Sequence, residues 1–192
     1  MTIPEDLLRC WHEQWHPCDP IGHELRGPHR ERWVRFHSLP KSQRYAETPA
    51  EYEILLHRYN TVLDELFAGE DVYLLTPDWN DRPAPDPRPA DHAAWHPGAE
   101  HWTSVCTDND PEYRAYTHLY LSRVSWRPGC LDELLRAAAD DQHAGALIMS
   151  LDLTRLHHPY DGGQDIFLPS TADRDALRDR HAAWLSKHPG GL

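Results

Sequence analysis

The sequence predicts an α+β fold, in which a single mixed or mostly antiparallel sheet is packed by about four helices. Helical and strand-like patterns alternate along the 192 residues, and two pairs of strand-like segments follow each other with no helix between them. Such neighbours favour antiparallel pairing over βαβ units. The 40% hydrophobic content, with eight tryptophans, is typical of a globular chain. The length suits one domain, so residues 1–192 are expected to form a single α+β domain.

The N-terminal part of the chain predicts one helix and one strand. A capping-box spacing followed by apolar residues at helical intervals indicates a helix over about 4–16. Over 32–38, Trp33, Arg35 and His37 alternate with their neighbours, which predicts a strand with these three side chains on one face.

Thr48-Pro49-Ala50-Glu51 is the clearest helix start, with a cap, a proline at the first helical position and a glutamate at the third. An apolar stripe follows, and Gly69 fits the helix end. A short strand at 71–75 comes next. Residues 77–98 contain six prolines and two tryptophans and predict a Pro-rich acidic loop. The remaining predicted elements are strands at 102–106, 115–126, 146–153 and 164–168, and helices at about 129–142 and from about 171 to before His188.

The formal charge of −12 is unevenly distributed. Residues 64–112 contain twelve acids and two arginines, a local net charge of −10. Such a segment would attract a basic protein partner and repel nucleic acid and anionic membranes, although acidic surfaces also simply aid solubility. No apolar run approaches a membrane span, the N-terminus lacks a signal-peptide pattern, and the four cysteines form no C-x-x-C pair. We therefore expect a cytoplasmic protein.

Tryptophans within the acidic segment suggest a protein-binding face, because buried aromatic anchors and electrostatic steering are typical of inhibitor interfaces. The alternative is that these tryptophans fold into the core. The predicted binding residues are Trp79, Asp81, Asp86, Asp91, Trp95 and Trp102.

His12-Glu13-Gln14-Trp15-His16 matches the H-E-x-x-H pattern of zinc proteases. Pro17 follows directly and disfavours helix at His16, so the two histidines need not share one helix face. His12 and His16 remain candidate zinc ligands, with Cys10 and Cys18 as further donors, and a solvated helix end is the alternative. No other cofactor is predicted.

Two other histidine groups could perform chemistry. Asp91, His92, His96 and His101 lie together in the acidic loop, where a divalent metal or a merely polar loop are both consistent with the spacing. His157, His158, Asp161 and Asp165 flank the turn at Gly162-Gly163, where acid–base catalysis and plain turn chemistry are the alternatives.

Two blocks of the chain resemble small uncharacterised bacterial proteins. The first block is Arg35-Phe36-His37-Ser38-Leu39-Pro40 with Ser42, Arg44-Tyr45, Glu51-Tyr52 and Asn60-Thr61-Val62-Leu63. The second is His158-Pro159-Tyr160-Asp161-Gly162-Gly163 with Asp165-Ile166, Arg174-Asp175 and Trp184-Leu185-Ser186. The resemblance implies a bacterial α+β domain of unknown function and assigns no catalytic residue.

The sequence favours a non-enzymatic binding protein over an enzyme. Our first hypothesis is an immunity-type inhibitor that binds a basic protein, such as a nuclease toxin, through its acidic face. A metal-dependent hydrolase that uses one of the histidine groups is the second. A structural domain without small-molecule chemistry is the third. The sequence contains no G-x-S-x-G pattern, phosphate-binding glycine loop or dinucleotide fingerprint.

Overall fold

The computed structural model describes residues 3–108, 110 and 113–186. The α-helices in these ranges are α1 (Leu7–Trp15), α2 (Pro49–Phe67), α3 (Ala90–Trp95), α4 (Asp132–Ala139) and α5 (Thr171–Arg180). The strands are β1 (Trp33–His37), β2 (Asp71–Asn80), β3 (Glu100–Asp108), β4 (Ala115–Ser125), β5 (Leu147–Ser150), β6 (Leu156–Tyr160) and β7 (Gly163–Phe167). No helix within the described ranges is long and apolar enough to cross a membrane.

All seven strands form one sheet in the order β1-β7-β6-β5-β2-β4-β3. Every neighbouring pair is antiparallel. This arrangement confirms the predicted α+β fold with a single, mostly antiparallel sheet.

Helices cover both faces of the sheet. On one face, α2 and α4 pack with Val72 and Leu74 of β2 in a large apolar core. On the other face, α1 buries Trp11 and Trp15 in a second core with Tyr73. Because successive strand residues point to opposite faces, β2 contributes to both cores in alternation. We call these the α2 face and the α1 face.

The capping box predicted at the start of α2 is present in the structure. The Thr48 side chain accepts from the backbone N–H of Glu51, and the Glu51 carboxylate accepts from the backbone N–H of Thr48 at 3.0 Å. Two N–H groups at the helix start are thereby satisfied. The buried residues Leu55, Tyr59 and Val62 then follow at helical spacing.

The Pro-rich segment is more regular than the predicted loop at 77–98. β2 continues to Asn80, because residues 76–80 pair with residues 116–120 of β4. The helix α3 occupies residues 90–95, which leaves 81–89 and 96–98 irregular.

β6 is the strand that we did not predict. Its sequence, Leu156–Tyr160, contains two histidines and a proline, which are atypical of a buried strand. Only Leu156 and His157 pair with β5, so Pro159 lies where β6 has β7 alone as a neighbour. Proline is tolerated there because that part of the strand is at an edge.

Candidate functional site

A buried carboxylate, Asp165, lies among charged side chains on the α1 face. Asp165 is in the middle of β7, directly across from Arg35 on β1 and from His158 on β6. Residues opposite one another on neighbouring strands project from the same face. The register of three strands therefore brings a guanidinium and an imidazole to this carboxylate.

Asp165 accepts three N–H groups. Trp33 Nε1 donates to Oδ1 at 2.9 Å, and Arg35 Nε donates to the same oxygen at 3.1 Å. Arg26 Nε donates to Oδ2, and His158 Nδ1 lies 3.7 Å from that oxygen. Burial by itself would raise the pKa of this fully buried carboxyl, but His158 and the two arginines outweigh burial and lower the pKa to about 2. The carboxylate is therefore ionised. We call Arg26, Trp33, Arg35, His158 and Asp165 the Asp165 cluster.

Arg26 comes to the cluster from a short 3-10 helix, Gly22–Arg26. Gly22 lies against the ring of His158, where a Cβ would be 2.6 Å from ring carbon atoms. Because the lack of a side chain at Gly22 permits this close approach, the segment can place Arg26 beside Asp165.

The Asp165 cluster borders a cleft of about 740 Å³. At this border Arg26 and Arg35 both lie over the ring of Tyr160, with guanidinium carbons 5.0 and 5.3 Å from the ring centroid. Within the described part of the chain, neither arginine has a hydrogen-bond acceptor at its Nη atoms. These nitrogens are therefore free to donate to a ligand in the cleft.

Ionisable groups of the cleft are concentrated on the side of β1 and β6. Burial is the main cause that lowers the pKa of His23 and of His37, and burial also raises the pKa of Glu24. Arg44 forms an ion pair with Asp161 at the same border. On the side formed by β2, β4 and the segment before β5, the described residues that line the cleft are not ionisable. They are Pro77, Trp79, Thr117, Leu119, Ala144 and Gly145.

The three tryptophans predicted for binding do not lie together. Trp79 is 51% exposed and lines the cleft on the α1 face. Trp102 packs against the α1-face core, and Trp95 packs against the core on the opposite face. Trp79 is the one member of the predicted binding set that lines the cleft.

The three predicted binding aspartates lie around the Pro-rich segment. Asp81 is highly exposed, with 86% of its side chain accessible. Asp86 accepts from Arg82 and from Asn80 Nδ2, and Asp91 accepts the backbone N–H of His92 at 3.0 Å. The short segment thus uses part of its own charge for internal hydrogen bonds.

Much of the charge of the acidic segment is paired within the molecule. The ion pairs are Glu65–Arg180, Glu70–Arg155, Asp71–Arg123 and Asp78–Arg88. Three of these arginines lie outside residues 64–112. The local net charge of −10 along the sequence therefore overstates the negative charge of the folded surface.

A second carboxylate, Asp78, is partly buried and lies on the α2 face. Arg88 Nε donates to it at 3.0 Å, and His92 Nδ1 lies 2.6 Å from its other oxygen. Arg88 Nη2 also donates to Thr76, whose hydroxyl lies 2.7 Å from His96 Nδ1. Burial, followed by the charge of Arg88, lowers the pKa of His96 to about 3. We call Thr76, Asp78, Arg88, His92 and His96 the Asp78 cluster. His92 and His96, which the sequence suggested as possible metal ligands, are part of its hydrogen-bond network.

The H-E-x-x-H pattern lies at an exposed helix end. α1 ends at Trp15, as the proline at 17 predicted, and His12 and His16 are both exposed. Glu13 pairs with Arg9. Within the described residues no group of three or more His, Cys, Asp or Glu side chains is arranged to hold a metal ion.

The two adjacent histidines of β6 point to opposite faces. His157 lies on the α2 face, where its Nε2 is 2.7 Å from Gln164 Oε1, whereas His158 joins the Asp165 cluster. Asp161 occupies the turn, where it accepts from Arg44 and from Tyr45. The histidine–aspartate group proposed from sequence is thus divided among three environments.

Arg26 and Arg35 are the site residues that sequence reasoning missed. Alternation in β1 correctly placed Arg35 beside Trp33, but its partner Asp165 is 130 residues away along the chain. The sequence contained no signal for Arg26, because its role depends on the close approach of Gly22 to β6.

Residues 21–189 match the family model described as Domain of unknown function (DUF3885), and the chain belongs to that family. This agrees with the resemblance to a family of unknown function. The matched range includes the whole Asp165 cluster and begins after His12 and His16. No match to the chain was found among curated proteins or among solved structures.

Proposed function

We propose that the protein is a non-enzymatic binding protein and that its site is the cleft beside Asp165, which binds an anionic group. The observation that supports this most directly is the pair Arg26 and Arg35. Their Nε atoms are held by one buried carboxylate while their Nη atoms remain available at the cleft.

A guanidinium held in this way is well suited to anion recognition. Arginine presents donors in a planar fork that matches carboxylate and phosphate oxygens. Its long side chain normally loses conformational entropy on binding, and Asp165 and Tyr160 have already restricted it. Two such side chains together offer a preorganised site.

Binding is favoured over catalysis because two ionisable groups of the site, Asp165 and Tyr160, are poor proton carriers. Asp165, with a pKa of about 2, does not take up a proton near neutral pH. Burial raises the pKa of Tyr160 well above its ordinary value, so its hydroxyl stays protonated. Both groups therefore hold and orient the arginines.

Calorimetric titration with inorganic phosphate tests the proposal. We expect a dissociation constant of about 1 mM for this minimal ligand. Arg35→Lys keeps the charge beside Asp165 but removes the guanidinium fork, and it should weaken binding about tenfold. Arg123→Lys, at the exposed pair with Asp71, is the matched control and should bind normally. Wild-type protein that binds neither phosphate nor succinate would contradict the proposal.

A second candidate is the immunity-type inhibitor that binds a basic protein through the acidic segment. It is favoured by the exposed Trp79 and Asp81 at the end of β2. A pull-down from cells of the source organism tests it with Asp81, Asp86, Asp91 and Asp108 changed to lysine together. The loss of a basic partner is expected, and an unchanged set of partners would exclude this surface.

A further inference from the structure

We infer that the ligand of the cleft consists of a planar ring joined to a phosphate or carboxylate group, with the ring lying against Trp79. This inference rests on the proposed function and specifies the ligand. The first reason is size: a cleft of about 740 Å³ is within the range of roughly 300–1,000 Å³ that is typical of sites for organic ligands and cofactors. A bare anion would leave most of it unfilled.

The second reason is the division of the lining. The guanidinium groups lie over Tyr160 on β6, whereas the side at β2 presents Pro77, Trp79 and, from β4, Leu119. β6 and β2 flank β5 in the sheet, and Tyr160 and Pro77 both lie beyond the residues that pair with β5, where they line the cleft. A ligand that contacts both sides needs an anionic end and an uncharged end.

The third reason is the position of the indole. Trp79 is opposite Thr117 on β4 and remains 51% exposed, although Pro77 and Thr117, its neighbours on the same face, are buried. Its Cζ2 atom lies 3.7 Å from the place that a Cβ on Gly145 would occupy, and that Cβ would be 2.8 Å from Pro77. Gly145 has φ +82°, a conformation that favours glycine. Because glycine has no Cβ, Pro77 and the indole of Trp79 can lie close to the backbone at this position. An accessible aromatic face of this kind stacks on planar rings.

The test compares three probes at one pH: adenosine 5′-monophosphate, ribose 5-phosphate and adenosine. We expect the nucleotide to bind about tenfold more tightly than ribose 5-phosphate, as stacking of one base predicts. Trp79→Ala should remove this difference, while Trp79→Phe, which keeps an aromatic face, should retain most of it. Indole-3-acetate serves as the ring-bearing carboxylate and shows which of the two anions is preferred.

The outcomes separate this inference from the proposed function. If ribose 5-phosphate and the nucleotide bind equally, the ring inference is wrong and the anion site stands. If adenosine binds as tightly as the nucleotide, the anion does not contribute and the proposed function is wrong. If none of the probes binds, including indole-3-acetate, both are wrong. Trp79→Ala that keeps the tenfold difference would place the ring elsewhere and overturn the inference.

Discussion

The Asp165 and Asp78 clusters both pair a carboxylate with cationic side chains, on opposite faces of one sheet. In each, a carboxylate, fully buried at Asp165 and partly buried at Asp78, is held by arginine and histidine from other elements. In each, an arginine lies over a tyrosine ring: Arg88 is 4.4 Å from the centroid of Tyr120, comparable with the arrangement at Tyr160. Both arrangements satisfy the rule that a buried charge must be paired and hydrogen-bonded.

The clusters differ in what lies above them. Over Asp78, the ring of His92 lies 4.2 Å from that of His143 and 5.7 Å from that of Trp95, so α3 closes the cluster. Beside Asp165, the side chains of Arg26 and Arg35 line the cleft, and that of Arg26 is 29% exposed. We therefore expect the same pairing of charges to contribute to stability in the Asp78 cluster and, where Arg26 and Arg35 line the cleft, to binding as well.

Removing Asp165 is expected to have the largest effect. Asp165→Ala leaves two partly buried guanidinium groups without their partner, and loss of one member of a buried ion pair costs about 3–5 kcal/mol. The free energy of unfolding, measured by urea denaturation with tryptophan fluorescence, should fall by that amount. A loss below about 1 kcal/mol would show that the arginines find solvent instead and that the cluster is not a preorganised unit.

Asp78→Ala should have a smaller effect, of about 2 kcal/mol, because Arg88 keeps its bond to Thr76. Amide hydrogen exchange in α3 should accelerate, since His92 loses its partner. Phosphate binding should be unchanged, because the two clusters lie on opposite faces. If Asp78→Ala weakened phosphate binding as much as Arg35→Lys does, the assignment of binding to one cluster alone would fail.

Local patterns in the sequence were sufficient for much of the fold. The capping residues of α2 and the alternation of β1 correctly predicted these elements. The β6 strand was missed because His157, His158 and Pro159 do not match strand propensity, and tertiary burial overrides that preference. The Asp165 cluster depends on strand register across 130 residues and on the fit of Gly22 against His158, neither of which is a local property.

His143, which contacts His92 of the Asp78 cluster, should make the stability of the protein sensitive to acid. Burial, and then the nearby His92, lowers its pKa to about 4, and both ring nitrogens lack a hydrogen-bond partner in the described structure. The unfolded chain takes up this proton below about pH 6.5, whereas the folded protein does so only near pH 4, so stability falls as the pH drops between these values.

His143→Phe should therefore be more stable than the wild type at pH 5, by on the order of 1–2 kcal/mol, and similar to it at pH 7. Urea denaturation at both pH values measures this, and His12→Gln, at an exposed histidine, is the control. Equal acid sensitivity in wild type and His143→Phe would show that other groups dominate the acid response.

At the cleft beside the Asp165 cluster, by contrast, acid should change the affinity for an anion. His23 and His37 line the cleft with pKa values that burial lowers, so both are mainly neutral at pH 7 and gain charge only as the pH falls. Glu24, whose pKa is raised, loses negative charge over part of the same range. Each change makes the cleft more positive, so an anion of constant charge should bind more tightly at lower pH.

Sulfate keeps its charge over this range and is the suitable probe. Its affinity should increase about threefold between pH 7 and pH 5, a modest effect because these groups are only partly buried. The double variant with His23→Gln and His37→Gln should lose most of the increase, whereas His92→Gln, in the closed cluster, should keep it. The contrary outcome is an affinity for sulfate that does not change with pH, or that changes equally in the wild type and both variants. Either result would mean that the cleft histidines do not contact the anion. The two clusters would then not differ in their exposure to a ligand.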